Sequence, residues 1–154
     1  MRSLIFASAL CAAGLIGEAV LAGKNANKIL RELKQPAWAL PTTAWYFVGL
    51  VYFAGCFLAT YRLVRIQESG SDQALALGLI IAVMTANVAW NFLFFRKKNL
   101  TLSFWYFLPY TLLTLALQCA LMRTDRLSAI VFFVYVLYLP YALAWAFKVW
   151  KLNA

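Results

Sequence analysis

Long apolar runs, separated by short polar stretches, dominate the pattern along the chain. A helix needs about 20 apolar residues to cross a bilayer, so the pattern predicts five membrane spans. They cover residues 4–22, 45–64, 74–95, 100–122 and 127–149. The connections after the third and fourth spans are short, which makes the last three spans antiparallel neighbours. We therefore predict one all-α integral membrane domain, residues 1–154: a five-transmembrane-helix bundle with a long first loop folded over one end.

Composition and charge agree with a membrane protein. Hydrophobic residues make up 65% of the chain and charged residues 12%, well away from the roughly 25% charged residues of a soluble domain. The net charge of +9 does not indicate nucleic acid, because the Lys and Arg residues lie in loops, where they meet lipid headgroups. Nine of the 14 lie on the side of the first loop and five on the other. We therefore predict the N-terminus outside and the C-terminus in the cytoplasm.

The host membrane and the first span leave alternatives open. Short loops and the absence of a transit-like leader favour a bacterial inner membrane over an organellar outer membrane. The first span begins after Arg2 and contains small residues, so a cleaved signal peptide is its alternative interpretation. The run is long enough to span, which is the interpretation we prefer.

Residues for catalysis or metal binding are scarce. The chain has no histidine, the commonest general base and metal ligand. Glu18 is the one acidic residue within a predicted span, and it either serves the function or reaches the membrane interface. We therefore predict no catalytic residue, no metal site and no obligatory cofactor, and we favour a binding protein over an enzyme.

One face of the third span carries amides and rings. At 100° per residue, Asn87, Trp90, Asn91 and Phe94 fall together. Amides are unfavourable against lipid, so this face should look into the bundle. It either lines a pocket or holds helices together by hydrogen bonds.

A second face of that span carries small residues at every fourth position, namely Ala74, Gly78, Ala82 and Ala86. Small residues allow a second helix to approach closely. We predict a homodimer interface here, with packing inside the monomer as the alternative.

The second and fifth spans add aromatic faces. Trp45, Gly49, Tyr52 and Cys56 share one face of the second span, where Gly49 leaves a notch among large rings. On the fifth span, the aromatic arc consists of Tyr135, Tyr138, Tyr141 and Trp145. Alone, such rings are typical of core packing or of an interfacial belt.

The first loop is shaped by two prolines. Pro36 and Pro41 prevent a continuous helix into the second span and fold the segment back, placing Trp38 over the space between the helices. An ordinary interfacial anchor is the alternative role for Trp38. Before the prolines, Asn27 is expected to cap a short amphipathic helix, whose apolar face includes Ile29.

Three motifs resemble those of a known family. Leu33 to Pro41, LKQPAWALP, resembles the LxKPxWxPP signature of the translocator protein or tryptophan-rich sensory protein (TspO/MBR) family. Asn87 to Phe95, NVAWNFLFF, resembles its NxxWxxxFF, and Trp145 keeps the spacing to Leu152-Asn153 of its WxxxxxxLN. With the five spans, the resemblance covers nearly the whole chain.

The chain also departs from the family pattern. Gln35 and Leu40 replace a Lys and a Pro, and Gly49 stands where a pocket Trp is usual. The chain stops at Ala154, without the tail that carries the sterol-recognition segment of animal members. Sterol binding therefore rests on a weak pattern alone, formed by Leu58, Tyr61 and Arg65.

The resemblance implies a five-helix bundle, usually a homodimer, that binds porphyrins and related hydrophobic ligands in a pocket closed by the first loop. The ligand-binding residues it implies are Trp38, Pro41, Gly49, Tyr52, Phe53, Asn87, Trp90, Phe94, Tyr141, Ala142 and Trp145. Arg31 and Lys34 are expected at the rim, where they would meet propionates. Without histidine, haem would be held without strong axial ligation.

Three functions follow as hypotheses. The leading one is a ligand-binding sensor or receptor. A transporter of porphyrins or other amphipathic solutes is the second, and an enzyme that degrades protoporphyrin under light and oxygen is the third. The loss of the usual Trp at Gly49 argues against the third.

Overall fold

The computed structural model describes residues 1–24, 26–66 and 70–154, and its described part is dominated by helices. In chain order these are α1 (Arg2–Ala22), α2 (Ala26–Glu32), α3 (Thr42–Arg65), α4 (Ser71–Asn91) with a π-helical turn (Phe92–Arg96), α5 (Leu100–Thr124) and α6 (Arg126–Asn153). Five helices are long and apolar enough to cross a membrane, namely all except α2. This confirms the predicted five-helix bundle.

The five long helices form a closed ring. Helix α1 packs against α3 and α4, α3 packs against α6, α6 against α5, and α5 against α4. The short connections thus join neighbours in the ring, as predicted for the last three spans. Every long helix therefore has a face toward one shared interior.

Helix α1 is held in this ring by two glycines. A Cβ atom at Gly14 would lie 2.7 Å from the end of Met84, and one at Gly17 would lie 3.2 Å from Val88. Real Cβ atoms rarely come so close, so these glycines let α1 approach α4. The first apolar run therefore packs as a member of the bundle.

The end of the bundle far from the first loop is fixed by an ion pair. Arg62 donates two hydrogen bonds of 2.7 Å to the carboxylate of Asp125, in the turn between α5 and α6. Asp125 also caps α6 by accepting a hydrogen bond from the backbone N–H of Ser128, 3.1 Å away. The hydrogen bonds from Arg62 lower the pKa of Asp125 from 3.8 to about 2.

The first loop is tied to α6 at the opposite end. The side chain of Asn153 accepts a hydrogen bond from the backbone N–H of Lys34 at 2.9 Å and donates to its carbonyl at 3.0 Å. The hydroxyl of Tyr141 accepts from the backbone N–H of Leu40 at 2.8 Å. Helix α2 already includes Ala26, so Asn27 lies within the helix rather than at its cap. The first loop therefore packs on α6 and covers the end of the interior that lies opposite the Arg62–Asp125 ion pair.

Candidate ligand-binding site

An inner chamber of about 170 Å³ lies in the middle of the ring. All five long helices line it, and most of its wall is aromatic. The lining residues are Glu18, Trp45, Val48, Gly49, Tyr52, Asn87, Trp90, Asn91, Phe107, Tyr135, Tyr138, Ala142 and Trp145. The structure thus brings together faces that the sequence placed on separate spans.

An outer chamber of about 710 Å³ adjoins the inner one. This volume falls within the roughly 300–1,000 Å³ of drug-sized ligand pockets. Its wall runs along α1, α2 and α3 and includes Leu15, Tyr46, Leu50 and Phe53. The first three of these are exposed, so the chamber opens sideways between α1 and α3.

The two chambers share their central wall. Residues that line both are Glu18, Trp45, Gly49, Trp90, Asn91 and Trp145. A Cβ atom at Gly49 would meet no heavy atom within 4 Å in the described part of the chain. The notch predicted at Gly49 is therefore open space at the junction of the chambers.

The amides of α4 serve both roles that the sequence left open. The side-chain amide of Asn87 donates a hydrogen bond to Oε1 of Glu18, which links α4 to α1. The amide of Asn91 donates to the backbone carbonyl of Asn87 at 3.0 Å. Both amides line the inner chamber, and of the two Asn87 links helices, since the hydrogen bond of Asn91 lies within α4.

Two tyrosine hydroxyls at this site lack partners. Those of Tyr52 and Tyr138 are buried, and no described residue offers them a standard hydrogen bond. The thiol of Cys56 beside Tyr52 is only a weak partner. By contrast, Tyr135 shares a 2.6 Å hydrogen bond with Tyr110. Buried polar groups are normally paired, so these two hydroxyls are exceptions within the aromatic wall of the inner chamber.

The three chamber tryptophans are held in position through their indole N–H groups. Trp145 donates to the side-chain oxygen of Gln35 at 2.9 Å, and Trp45 donates to the carbonyl of Leu40 at 3.3 Å. Both acceptors belong to the first loop. Trp90 donates to the carbonyl of Ser103 at 3.2 Å. These bonds orient the rings, so the wall is built before any ligand arrives.

Three residues expected at the pocket lie behind its wall. Phe94 lies in the π turn, is buried, and stacks on Trp90 with ring centroids 4.9 Å apart. Tyr141 is turned toward the loop by its bond to Leu40. Trp38 is 48% exposed and sets its ring edge against Tyr141 at 5.5 Å. They support the wall and do not form it.

The two residues expected at the rim, Arg31 and Lys34, lie in different environments. Arg31 and Pro41 line a third cavity of about 320 Å³ under the loop, which also touches Trp45 and Trp145. Lys34 is exposed and engages Asn153 through its backbone. At the outer chamber the basic residue is Lys24, which the sequence analysis did not select.

Sequence reasoning missed other members of the site. Glu18, Trp45 and Tyr138 all line the inner chamber, although the sequence pattern predicts two alternative roles for Glu18 and no ligand contact for Trp45 or Tyr138. A signal for Trp45 was present: it lies one helical turn before Gly49, on the same face. A signal for Glu18 was also present: it lies on the same face of α1 as Gly14 and Gly17, and small residues indicate a face that packs against another helix.

Comparison with known proteins supports the same architecture. A sequence model of the TspO/MBR family matches residues 6–151 of the 154-residue chain. A search of curated proteins gives no match.

Proposed function

The chain belongs to the TspO/MBR family, and we propose that it is a sensor-type receptor that binds a tetrapyrrole or a similar flat hydrophobic ligand. It is an integral membrane protein. The observation that carries the proposal is the outer chamber of about 710 Å³, which continues into a wall of three tryptophans. Large aromatic ligands gain both apolar burial and ring contacts in such a space.

The charges around the chambers suit a ligand with acidic groups on one edge. Lys24 lies at the loop end of the outer chamber, and Arg31 lines the cavity under the loop. A macrocycle in the outer chamber would thus keep its propionates near cations and near water. We place this end in the cytoplasm, on the side that carries nine of the 14 basic residues.

Titration with protoporphyrin IX in the dark tests the proposal. The porphyrin's own fluorescence should report saturable binding to the detergent-purified protein, whereas tryptophan quenching would change with each Trp variant. We expect Trp90→Phe to weaken binding by about tenfold or less, because a smaller ring is left at the shared wall, corresponding to ~1.4 kcal/mol or less. Trp105→Phe is the matched control, since Trp105 is 55% exposed and lies outside both chambers.

Two results would contradict the proposal: non-saturable uptake by wild type, or equal affinity in wild type, Trp90→Phe and Trp105→Phe. Two further assays with protoporphyrin IX distinguish the receptor from the two other candidate functions. Loss of porphyrin under light and oxygen would indicate the degradative enzyme. Protein-dependent flux in proteoliposomes would indicate the transporter.

We also propose a homodimer through the small-residue face of α4. Ala74 and Gly78 are exposed in the monomer, and a Cβ atom at Gly78 would meet open space. Ala82 and Ala86 continue this face with partial burial. A second α4 packed here would cover a face that otherwise contacts lipid.

A further inference from the structure

An acidic group stands at the junction of the two chambers, since Glu18 lines both, whereas Lys24 lines the outer chamber alone. Among the described residues that line the inner chamber, Glu18 is the one with an ionisable carboxyl group, and none is Lys or Arg. Glu18 is four residues from the end of α1 at Ala22, or about 6 Å along the helix. The group therefore lies about one helical turn inside the bundle.

The carboxyl group of Glu18 is only half engaged. Asn87 donates to Oε1, whereas no donor among residues 1–24, 26–66 and 70–154 forms a hydrogen bond with Oε2. The hydroxyl oxygens of Tyr52 and Tyr138 are also unpaired, but they are buried within the wall. An unpaired polar group away from water is unfavourable, so the free oxygen of Glu18 is complementary to a hydrogen-bond donor on the ligand.

Size decides how much of a ligand fits. The inner chamber measures about 170 Å³, which is below the roughly 300 Å³ at which drug-sized pockets begin. It therefore accepts one end of a ligand whose main body remains in the outer chamber. Gly49 lines both spaces and leaves room where they meet, so a ligand can extend from one chamber into the other at this notch.

The chemistry of the wall selects the kind of end group. A carboxylate would meet the carboxylate of Glu18 with like charge, and a purely apolar end would leave the second oxygen of Glu18 without a donor. A protonated amine can donate to the oxygen of Glu18 that Asn87 does not engage. The faces of Trp45, Trp90 and Trp145 add cation–π attraction.

We propose that the inner chamber recognises a protonated amine on the inner end of an amphipathic aromatic ligand, with Glu18 as its counter-ion. The inference rests on the proposed function, because it assumes that the joined chambers bind a hydrophobic ligand. It adds a direction of binding: the amine points to Glu18, and any acidic group stays near Lys24.

Three probes of one ring size test this inference. 2-Naphthylmethylamine, 2-naphthalenemethanol and 2-naphthylacetate place a cation, a neutral group and an anion on the same ring. Binding to detergent-purified full-length protein is followed by calorimetry, with empty micelles subtracted. We expect wild type to bind the amine about tenfold more tightly than the alcohol and to bind the acetate weakest.

The ratio of amine to alcohol affinity is the decisive readout, since a general change in the cavity alters both. Glu18→Gln keeps an oxygen that can accept from Asn87 and should lower this ratio, leaving only the preference that cation–π attraction provides. Asp72→Asn removes an exposed carboxylate at the far end of α4 and should keep the wild-type ratio. Circular dichroism and a monodisperse elution profile establish that each variant is folded.

Equal affinities of amine and alcohol in wild type would overturn the inference, as would an unchanged ratio in Glu18→Gln. If the alcohol and protoporphyrin IX bind saturably in such a case, the proposed function stands while the amine preference fails. If no probe and no porphyrin binds, both fail together.

Discussion

Gly49 offers the most direct test of whether the two chambers act as one site. It lies within α3, lines both chambers and faces open space where a Cβ atom would be. We consider two substitutions, Gly49→Ala and Gly49→Leu. The first adds a methyl group at the junction, and the second adds a branched side chain that closes it.

The expected effects on stability and on binding have opposite signs. Glycine within a helix costs roughly 0.5–1 kcal/mol relative to alanine, and here the added methyl meets no neighbour. Gly49→Ala should therefore stabilise the protein by about that amount. Gly49→Leu should also stabilise it, since the buried side chain contributes up to ~3 kcal/mol. Yet it should weaken protoporphyrin binding by at least about tenfold, or ~1.4 kcal/mol.

Thermal unfolding in detergent and porphyrin titration are measured on the same samples. Gly78→Ala is the matched control, because Gly78 is also a helical glycine facing open space but lies outside both chambers. It should leave porphyrin binding unchanged, and it serves as a control for binding alone because Gly78 lies on the proposed dimer face. If folded Gly49→Leu binds porphyrin as tightly as wild type, the junction is not part of the ligand site and the reasoning fails.

Two further predictions concern the ends and the outer face of the bundle. The lowered pKa of Asp125 means that its carboxylate stabilises the fold above about pH 4 and loses this effect as the pH falls toward 2. Asp125→Asn should therefore unfold at a lower temperature than wild type at pH 6. The difference between the two unfolding midpoints should narrow as the pH falls from about 4 toward 2. If the midpoints of the two proteins instead fall in parallel with pH, the ion pair does not have this role. Gly78→Phe should convert the proposed dimer to a monomer of unchanged helix content, measured by light scattering in detergent, and an unchanged mass would locate any dimer contact elsewhere.

The bundle was predictable because its determinants are local. A run of apolar residues must be helical to satisfy its backbone in lipid, so the five spans follow directly from the pattern. The structure shifts their ends by at most four residues, the largest shift being at Asn153. The chemistry of the amide face was also accessible, since Asn87 and Trp90 are related by helical periodicity alone.

The site itself depends on features that a one-dimensional pattern does not contain. Phe94 stays beside Trp90 but packs against the rings of Trp90 and Trp145 and does not line either chamber. Glu18 reaches the chamber only because two glycines draw α1 against α4. Such outcomes are set by contacts between helices, and periodicity within one helix cannot determine them.

The prolines and tryptophans of the first loop acquire a joint role in this structure. Pro36 is buried and, with Pro41, turns the chain back over the bundle, which brings Gln35 and Leu40 within reach of the indole N–H groups of Trp145 and Trp45. These two rings lie 4.5 Å apart at the wall shared by both chambers. The loop therefore acts on the ligand site through the orientation of chamber tryptophans, while its own Trp38 stays half exposed. Replacing the Lys of the family signature by Gln35 supplies a neutral acceptor at the point where Trp145 needs one.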